Sequence, residues 1–280
     1  MKLSCLPVSL YPDLTAGRLT PGAWFRMAGA LSLDGADLSV AHVLSRASPY
    51  LDGLRQEAAE AGVQIAMLAT YTDFTHPDAA ERARQADDLR AWIEAAARMG
   101  VTFLRVTAGQ AHPGTPPDAG LDWAAAGLSA CLGDAEAAGV RLLYENHVRG
   151  AFWSYNDFTQ PAERFLELAR RTAGSGLGIL FDTANCLALG EDPLAVLEQV
   201  REQVGAVHLS DIKRPGAFEP TLIGSGVAPI AAILRGLVAS GFDGWLSIEE
   251  ASRGGADSFP QAVAFADRAW RDAGGRPRLG

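Results

Sequence analysis

Eight times along this chain a short apolar run gives way to a stretch with helical periodicity, and no other pattern interrupts the alternation. The apolar runs cover residues 2–10, 36–39, 63–70, 101–107, 141–146, 177–181, 205–209 and 245–248. The helical stretches cover 20–32, 48–61, 77–99, 118–138, 159–172, 193–203, 229–240 and 258–273, and Gly62, Gly100 and Gly139 stand where helices stop. Continuous rather than alternating apolar runs are the mark of strands buried on both faces. Strand followed by helix builds a parallel sheet, and eight such units favour closure into a (β/α)8 TIM barrel over an open doubly wound sheet. A length of 280 residues suits one barrel, so a single domain over residues 1–280 is expected. No GxGxxG follows the first strand, which weakens the dinucleotide-binding alternative.

Composition excludes several classes. The net charge is −9 with no basic tract, so no nucleic-acid partner is expected. No run approaches the roughly 18 apolar residues that a membrane-spanning helix needs, so no membrane partner is expected either. Residues 3–10 are broken by Pro7 and end at Tyr11-Pro12, which reads as a strand and not as the core of a secretory signal. Cys5, Cys131 and Cys186 are widely spaced and form no CxxC pair. Reduced thiols in a cytoplasmic protein are the expectation.

Four of the apolar runs stop on groups that can bind a cation: Glu145, Asp182, His208 and Glu249. In a barrel, the C-terminal ends of neighbouring strands converge on one mouth, so these residues of strands five to eight line one half of it. Taken singly, each has a plainer reading: a strand-end Asp such as Asp182 often caps the following helix, and a lone His is often a structural hydrogen-bonder. Four on consecutive strands are harder to explain by capping. Three crowded carboxylates would repel one another without a cation, and the mixed oxygen and nitrogen donors suit one divalent ion, with Mn, Mg, Co and Zn all acceptable. Two loops exceed the usual length. Residues 147–158 carry Phe152, Trp153 and Tyr155, and residues 211–226 carry Lys213, Arg214 and Phe218. Such loops form active-site walls, or their aromatics pack on the barrel or on a partner subunit in a homo-oligomer.

The segments Tyr144-Glu145-Asn146-His147, Phe181-Asp182-Thr183-Ala184-Asn185, Val207-His208-Leu209-Ser210-Asp211 and Leu246-Ser247-Ile248-Glu249, with the Gly224-Ser225-Gly226 turn, carry a resemblance that spans essentially the whole chain. It resembles the xylose isomerase-like barrel superfamily of sugar isomerases, ketose 3-epimerases and AP-endonuclease-type proteins. The resemblance implies that Glu145, Asp182, His208 and Glu249 hold one divalent metal, with Glu145 and Glu249 also serving as the acid/base pair. It further implies a carbohydrate-like small-molecule substrate, contacted by Arg214 six residues beyond His208. Asn185, His147 and Asn146 are further pocket candidates, and Asp211 either orients His208 or caps its loop.

Two departures matter. Asn185 stands where the family commonly has His; it can hydrogen-bond a hydroxyl but cannot move a proton. Val227-Ala228 replaces the usual acid after the Gly-x-Gly turn. With His42, His76 and His112 outside ligand positions, a three-zinc nuclease site is not buildable. The expected activity is metal-dependent isomerisation or epimerisation of a sugar, sugar derivative or related polyol through an enediolate. The alternatives are a lyase that dehydrates a keto-polyol or dehydroshikimate-like acid on the same site, and a non-catalytic sugar-binding barrel.

Overall fold

The computed structural model describes residues 1–278. Its strands are β1 (Lys2–Leu6), β2 (Gly35–Ser39), β3 (Gln64–Ala69), β4 (Phe103–Val106), β5 (Arg141–Glu145), β6 (Gly178–Asp182), β7 (Val204–Leu209) and β8 (Trp245–Glu249). All pair in parallel in the order β1-β8-β7-β6-β5-β4-β3-β2. The remaining seam, between β1 and β2, is nearly closed. Leu3 N donates to the Asp34 carboxylate at 2.8 Å, Asp34 N donates to Leu3 O at 2.9 Å, and Ser4 Oγ donates to Asp37 Oδ2 at 2.8 Å. This is the (β/α)8 barrel that the alternation predicts.

Helices α1 (Tyr11–Thr15), α2 (Pro21–Ala30), α3 (Ser48–Glu60), α4 (Ala79–Met99), α5 (Pro117–Ser129), α6 (Leu132–Ala137), α7 (Ala162–Arg171), α8 (Pro193–Val200), α9 (Ile230–Ala239) and α10 (Ser258–Asp272) connect the strands. Their starts are written in the sequence. Thr20, Asp78 and Asp192 each accept a bond from a backbone N–H in the first turn of α2, α4 and α8. Gly100 ends α4 in the left-handed conformation, at φ +74°.

Two elements differ from expectation. The first strand ends at Leu6, because Pro7 has no N–H for a ladder and the chain turns there into α1. The helix expected over 118–138 breaks into α5 and α6 at Cys131, whose fully buried side chain packs against Ala86 O of α4.

Side chains in a strand alternate between faces, so one inward residue places every second residue inward. The barrel floor is packed from Ala66, Met67, Phe103, Leu143, Leu180, Ala206 and Trp245. Counting two residues onward from Phe103, Leu143, Leu180 and Ala206 reaches Arg105, Glu145, Asp182 and His208; four onward from Trp245 reaches Glu249. An apolar floor thus carries a polar layer directly above it. The larger apolar core lies between the strands and the helical ring.

Candidate metal centre

Glu145, Asp182, His208 and Glu249 each offer one ligand atom, and these atoms all lie within 4.8 Å of one another. The register explains the convergence: Asp182 pairs with His208 across β6 and β7, and Glu145 and Glu249 end the flanking strands. His208 Nδ1 lies 2.8 Å from Glu145 Oε1 and 3.2 Å from Glu249 Oε2. Glu145, Asp182 and His208 are essentially sealed from solvent, whereas Glu249 keeps 22% of its side-chain surface open.

Asp182 divides its two oxygens between tasks. Oδ1 accepts from Ala184 N at 2.9 Å, Asn185 N at 2.7 Å and Ser210 Oγ at 2.7 Å. Oδ2 is buried and has no partner, and His208 Nε2 is in the same condition. An unpaired buried carboxylate oxygen is costly. The capping and ligand readings of Asp182 are therefore compatible: one oxygen caps the turn after β6 and the other is left for a ligand.

Charges in the cluster are strongly perturbed. Burial by itself would raise the Glu145 carboxyl, yet His208 and Arg105 beside it bring it down to about 2. Asp182 goes the other way, pushed up to about 8 by burial and then by the Glu249 and Glu145 charges. Burial would lower His208, but Glu145, with Glu249, raises it well above the usual imidazole value. A divalent cation among these groups would favour the ionised form of all three carboxylates. The donor set, three carboxylates and one imidazole, fits a divalent ion of the Mn, Mg, Co or Zn type.

The other expected site residues fare differently. Asn185 is buried beside the cluster, but its amide donates to Asn146 O at 3.0 Å. Asn146 itself ties β5 to β6 instead of lining the pocket: its side chain bonds the backbone of Asp182. His147 lies on the aromatic wall, with Nδ1 3.3 Å from Asp157 Oδ2 and its ring edge-on to Trp153. Arg214 is not brought to the cluster; its side chain is 68% exposed and pairs with Glu219 at 2.6 Å. Asp211 caps its loop, accepting from the backbone N–H groups of Ile212, Gly224, Gly226 and Ala228 at 2.9–3.0 Å. A side chain at position 226 would meet Ile212 O and Asp211 Oδ1, which explains the second glycine of the turn. Trp153 is buried, while Phe152 and Tyr155 are exposed. His112 pairs with Asp73 and stacks edge-on with His76, and His42 meets Thr15, so none of the three joins the cluster.

Arg105 was missed by reading strand ends. It stands within the fourth apolar run, its guanidinium is 3.3 Å (Nε) from Glu145 Oε2, and its side chain is only 4% exposed. The signal was available: a charged residue inside an apolar strand is rarely buried unless paired.

Comparison with known proteins bears on this architecture. The family model described as xylose isomerase-like TIM barrel matches residues 26–271. The chain belongs to that family. An inosose dehydratase of Lacticaseibacillus casei is 26% identical over 159 residues, covering 51% of this chain and 51% of that protein. The chain thus spans about half the length of that relative. A Streptomyces coelicolor protein with the provisional name hydroxypyruvate isomerase is 28% identical over 237 residues, covering 81% of this chain and 80% of that one. Among solved structures, the IOLI protein with a binding zinc atom superposes with a TM-score of 0.79 at 16% identity, covering 98% of this chain and 99% of that one. At that identity the likeness concerns the fold.

Proposed function

We propose that this chain is a divalent-metal-dependent enzyme that moves a proton on the carbon next to a substrate carbonyl, isomerising or epimerising a sugar, sugar derivative or related polyol. The observation that carries the reading is the convergence of four donors from successive strand ends, with Asp182 Oδ2 buried and unpaired. Glu145, Asp182, His208 and Glu249 would hold the ion, and the zinc in the similar IOLI structure accords with that assignment. A bound divalent ion supplies Lewis-acid stabilisation of the charge that grows on a carbonyl oxygen as the neighbouring C–H is deprotonated.

The residues of the chain divide the remaining work. Glu249 is the most open of the four, so its carboxylate is the group suited to take the proton from carbon. Glu145 is sealed and held ionised by His208 and Arg105, which suits it to anchoring and to receiving a proton only transiently. Return of the proton to the opposite face epimerises the carbon; return to the adjacent carbon isomerises the substrate. Tyr71, under the Arg105 guanidinium, and Trp153, edge-on to it and to His147, would shield the reacting carbon from water.

A second reading, a dehydratase, is favoured by the match to inosose dehydratase. Loss of a β-hydroxyl after the same proton abstraction needs no different residues. One experiment addresses both. The metal-loaded protein is incubated in D2O with ketoses, inososes and keto acids, followed by proton NMR and ultraviolet absorbance. Chelator-sensitive deuterium uptake without absorbance is the expected result, and a growing conjugated-enone band would mark the dehydratase. No uptake and no absorbance with any of the four metals would overturn the enzyme reading.

A further inference from the structure

The loops that follow β3, β4 and β5 meet at one side chain, that of Gln110. Its Nε2 donates to Asp73 Oδ2 at 2.9 Å, and its Oε1 accepts from Ser154 N at 2.8 Å and Tyr155 N at 3.2 Å. The backbone of Gln110 is tied to the same loops. Its N donates to Asp73 Oδ1 at 2.9 Å, its O accepts from Thr75 Oγ1 at 2.8 Å, and it forms an antiparallel bridge with Asp157. Gly109 permits this close approach: at its φ of +138°, a side chain would meet Thr75 Oγ1 and Asp73 Oδ1.

What Gln110 holds is the backbone just past Trp153. The Trp153 ring is buried, edge-on to Tyr71 at 6.5 Å and to His147 at 5.6 Å. Tyr71 in turn lies under the Arg105 guanidinium, which pairs with Glu145. The backbone pairing between the loops after β4 and β5 ends at Asn156, whose O accepts from Ala111 N at 2.8 Å. Gln110 Oε1 carries the attachment two residues further, to Tyr155 and Ser154. Arg149 also donates to Trp153 O, at 2.9 Å, but it belongs to the same loop and moves with it. Edge-on ring contacts are weak beside the entropy of ordering such a segment, so an anchor on another loop matters.

Ser154 and Tyr155 are exposed, so water can take over their N–H groups when Gln110 does not. Asp73 likewise keeps Thr75, His112 and Gln110 N as partners without the Gln110 amide. The side-chain bonds of Gln110 therefore add little to global stability and decide mainly where the Trp153 segment stands. We propose that Gln110 is a positioning residue of this pocket: through Ser154 and Tyr155 it fixes Trp153 against Tyr71 and His147, on the Glu145 side of the four-donor cluster. Its effect on turnover rests on the reading given under Proposed function; the placement of Trp153 does not.

Amide hydrogen exchange of the full chain, read by mass spectrometry without added metal or substrate, tests the placement. In Gln110→Ala, peptides covering residues 150–156 are expected to exchange at least about tenfold faster, with those of the barrel strands unchanged. Gln110→Glu keeps the acceptor that the wall uses and loses the donor that Asp73 uses, so it is expected to recover part of the protection. Unchanged exchange in Gln110→Ala, or acceleration spread over the strands, overturns the proposal. On a substrate from the D2O screen at saturating Mn²⁺, Gln110→Ala is expected to lower kcat/KM at least about tenfold while Mn²⁺ retention stays intact. A double-mutant cycle with Trp153→Ala reads the coupling: a residue that acts through Trp153 makes the double variant no slower than Trp153→Ala alone. Losses that multiply overturn the proposal and leave the enzyme reading standing. Local acceleration in Gln110→Ala, with no deuterium uptake by the wild type, would uphold the placement and sink the enzyme reading.

Discussion

The side-chain amide of Asn146 closes on both backbone groups of Asp182. Its Oδ1 accepts from Asp182 N at 2.7 Å and its Nδ2 donates to Asp182 O at 3.0 Å, so one side chain adds a rung between the ends of β5 and β6. Asn146 O in turn accepts from Asn185 Nδ2. This clamp sets the separation of Glu145 and Asp182. Asn146→Ala would leave two buried backbone groups unpaired, at a cost of about 2–4 kcal/mol. Urea unfolding in the presence of chelator measures it. A change below about 0.5 kcal/mol, the size of an ordinary surface substitution, would contradict the clamp.

Asp211 organises the following loop by accepting four backbone N–H groups. Asp211→Asn turns one acceptor into a donor facing donors and is expected to cost about 3 kcal/mol. Limited proteolysis reads the same change, since cleavage within residues 211–228 would accelerate. Unchanged cleavage and stability would mean that the loop is held by other contacts.

Proton transfer is assigned to Glu249 because it is the open member of the cluster. Glu249→Gln is expected to slow solvent-deuterium uptake by about 10²–10⁴-fold at saturating Mn²⁺, the usual contribution of a positioned base. NMR on a substrate from the exchange screen gives the ratio. Uptake within about twofold of wild type would remove Glu249 from that role.

Asp37 provides a pH signature outside the four candidate ligands, although His208 also acts on its charge. It lies on β2, fully buried, accepting from Ser4 of β1 and Ser247 of β8, and its Oδ1 has no partner. Burial raises its carboxyl above the ordinary value despite those two bonds. Below about pH 4 both folded and unfolded chains hold the proton, so ionisation carries no penalty there. As pH rises through the window between the unfolded and folded values, only the unfolded chain ionises and stability falls. Asp37→Asn removes that loss. Its melting temperature relative to wild type should improve from pH 4 to pH 7, by about 2–4 °C for each kcal/mol recovered. Melting curves at both pH values in chelator check the sign; a difference that shrinks with pH would contradict it.

Much of this was legible in the sequence, for identifiable reasons. Strands buried on both faces read as plain apolar runs, and Gly62, Gly100 and Gly139, read as helix stops, all take the left-handed conformation just past helix ends. Glu145, Asp182, His208 and Glu249 stand out because polar groups end apolar runs. Arg105 did not stand out, since it lies inside its run. Which way it faces follows only once Phe103 is known to be on the barrel floor. The clamp by Asn146 was hidden for another reason: its partners are backbone atoms, which leave no trace in residue identity. Arg214 was picked by its spacing from His208, and spacing along a loop does not fix direction; its exposed side chain pairs with Glu219. The break at Cys131 comes from tertiary packing against α4, which overrides a helical pattern.

The most direct test of the proposed centre is metal stoichiometry. The protein is stripped with chelator, reloaded with Mn²⁺, Mg²⁺, Co²⁺ or Zn²⁺, desalted, and assayed by elemental mass spectrometry beside Asp182→Asn. About one divalent ion per chain in the wild type, and less than about a tenth of that in the variant, is the predicted result, because Oδ1 is held by three donors and the substitution replaces the unpaired buried oxygen of Asp182 with an amide nitrogen. No retained ion in the wild type, or equal retention by Asp182→Asn, would contradict the assignment of these four residues as a metal centre.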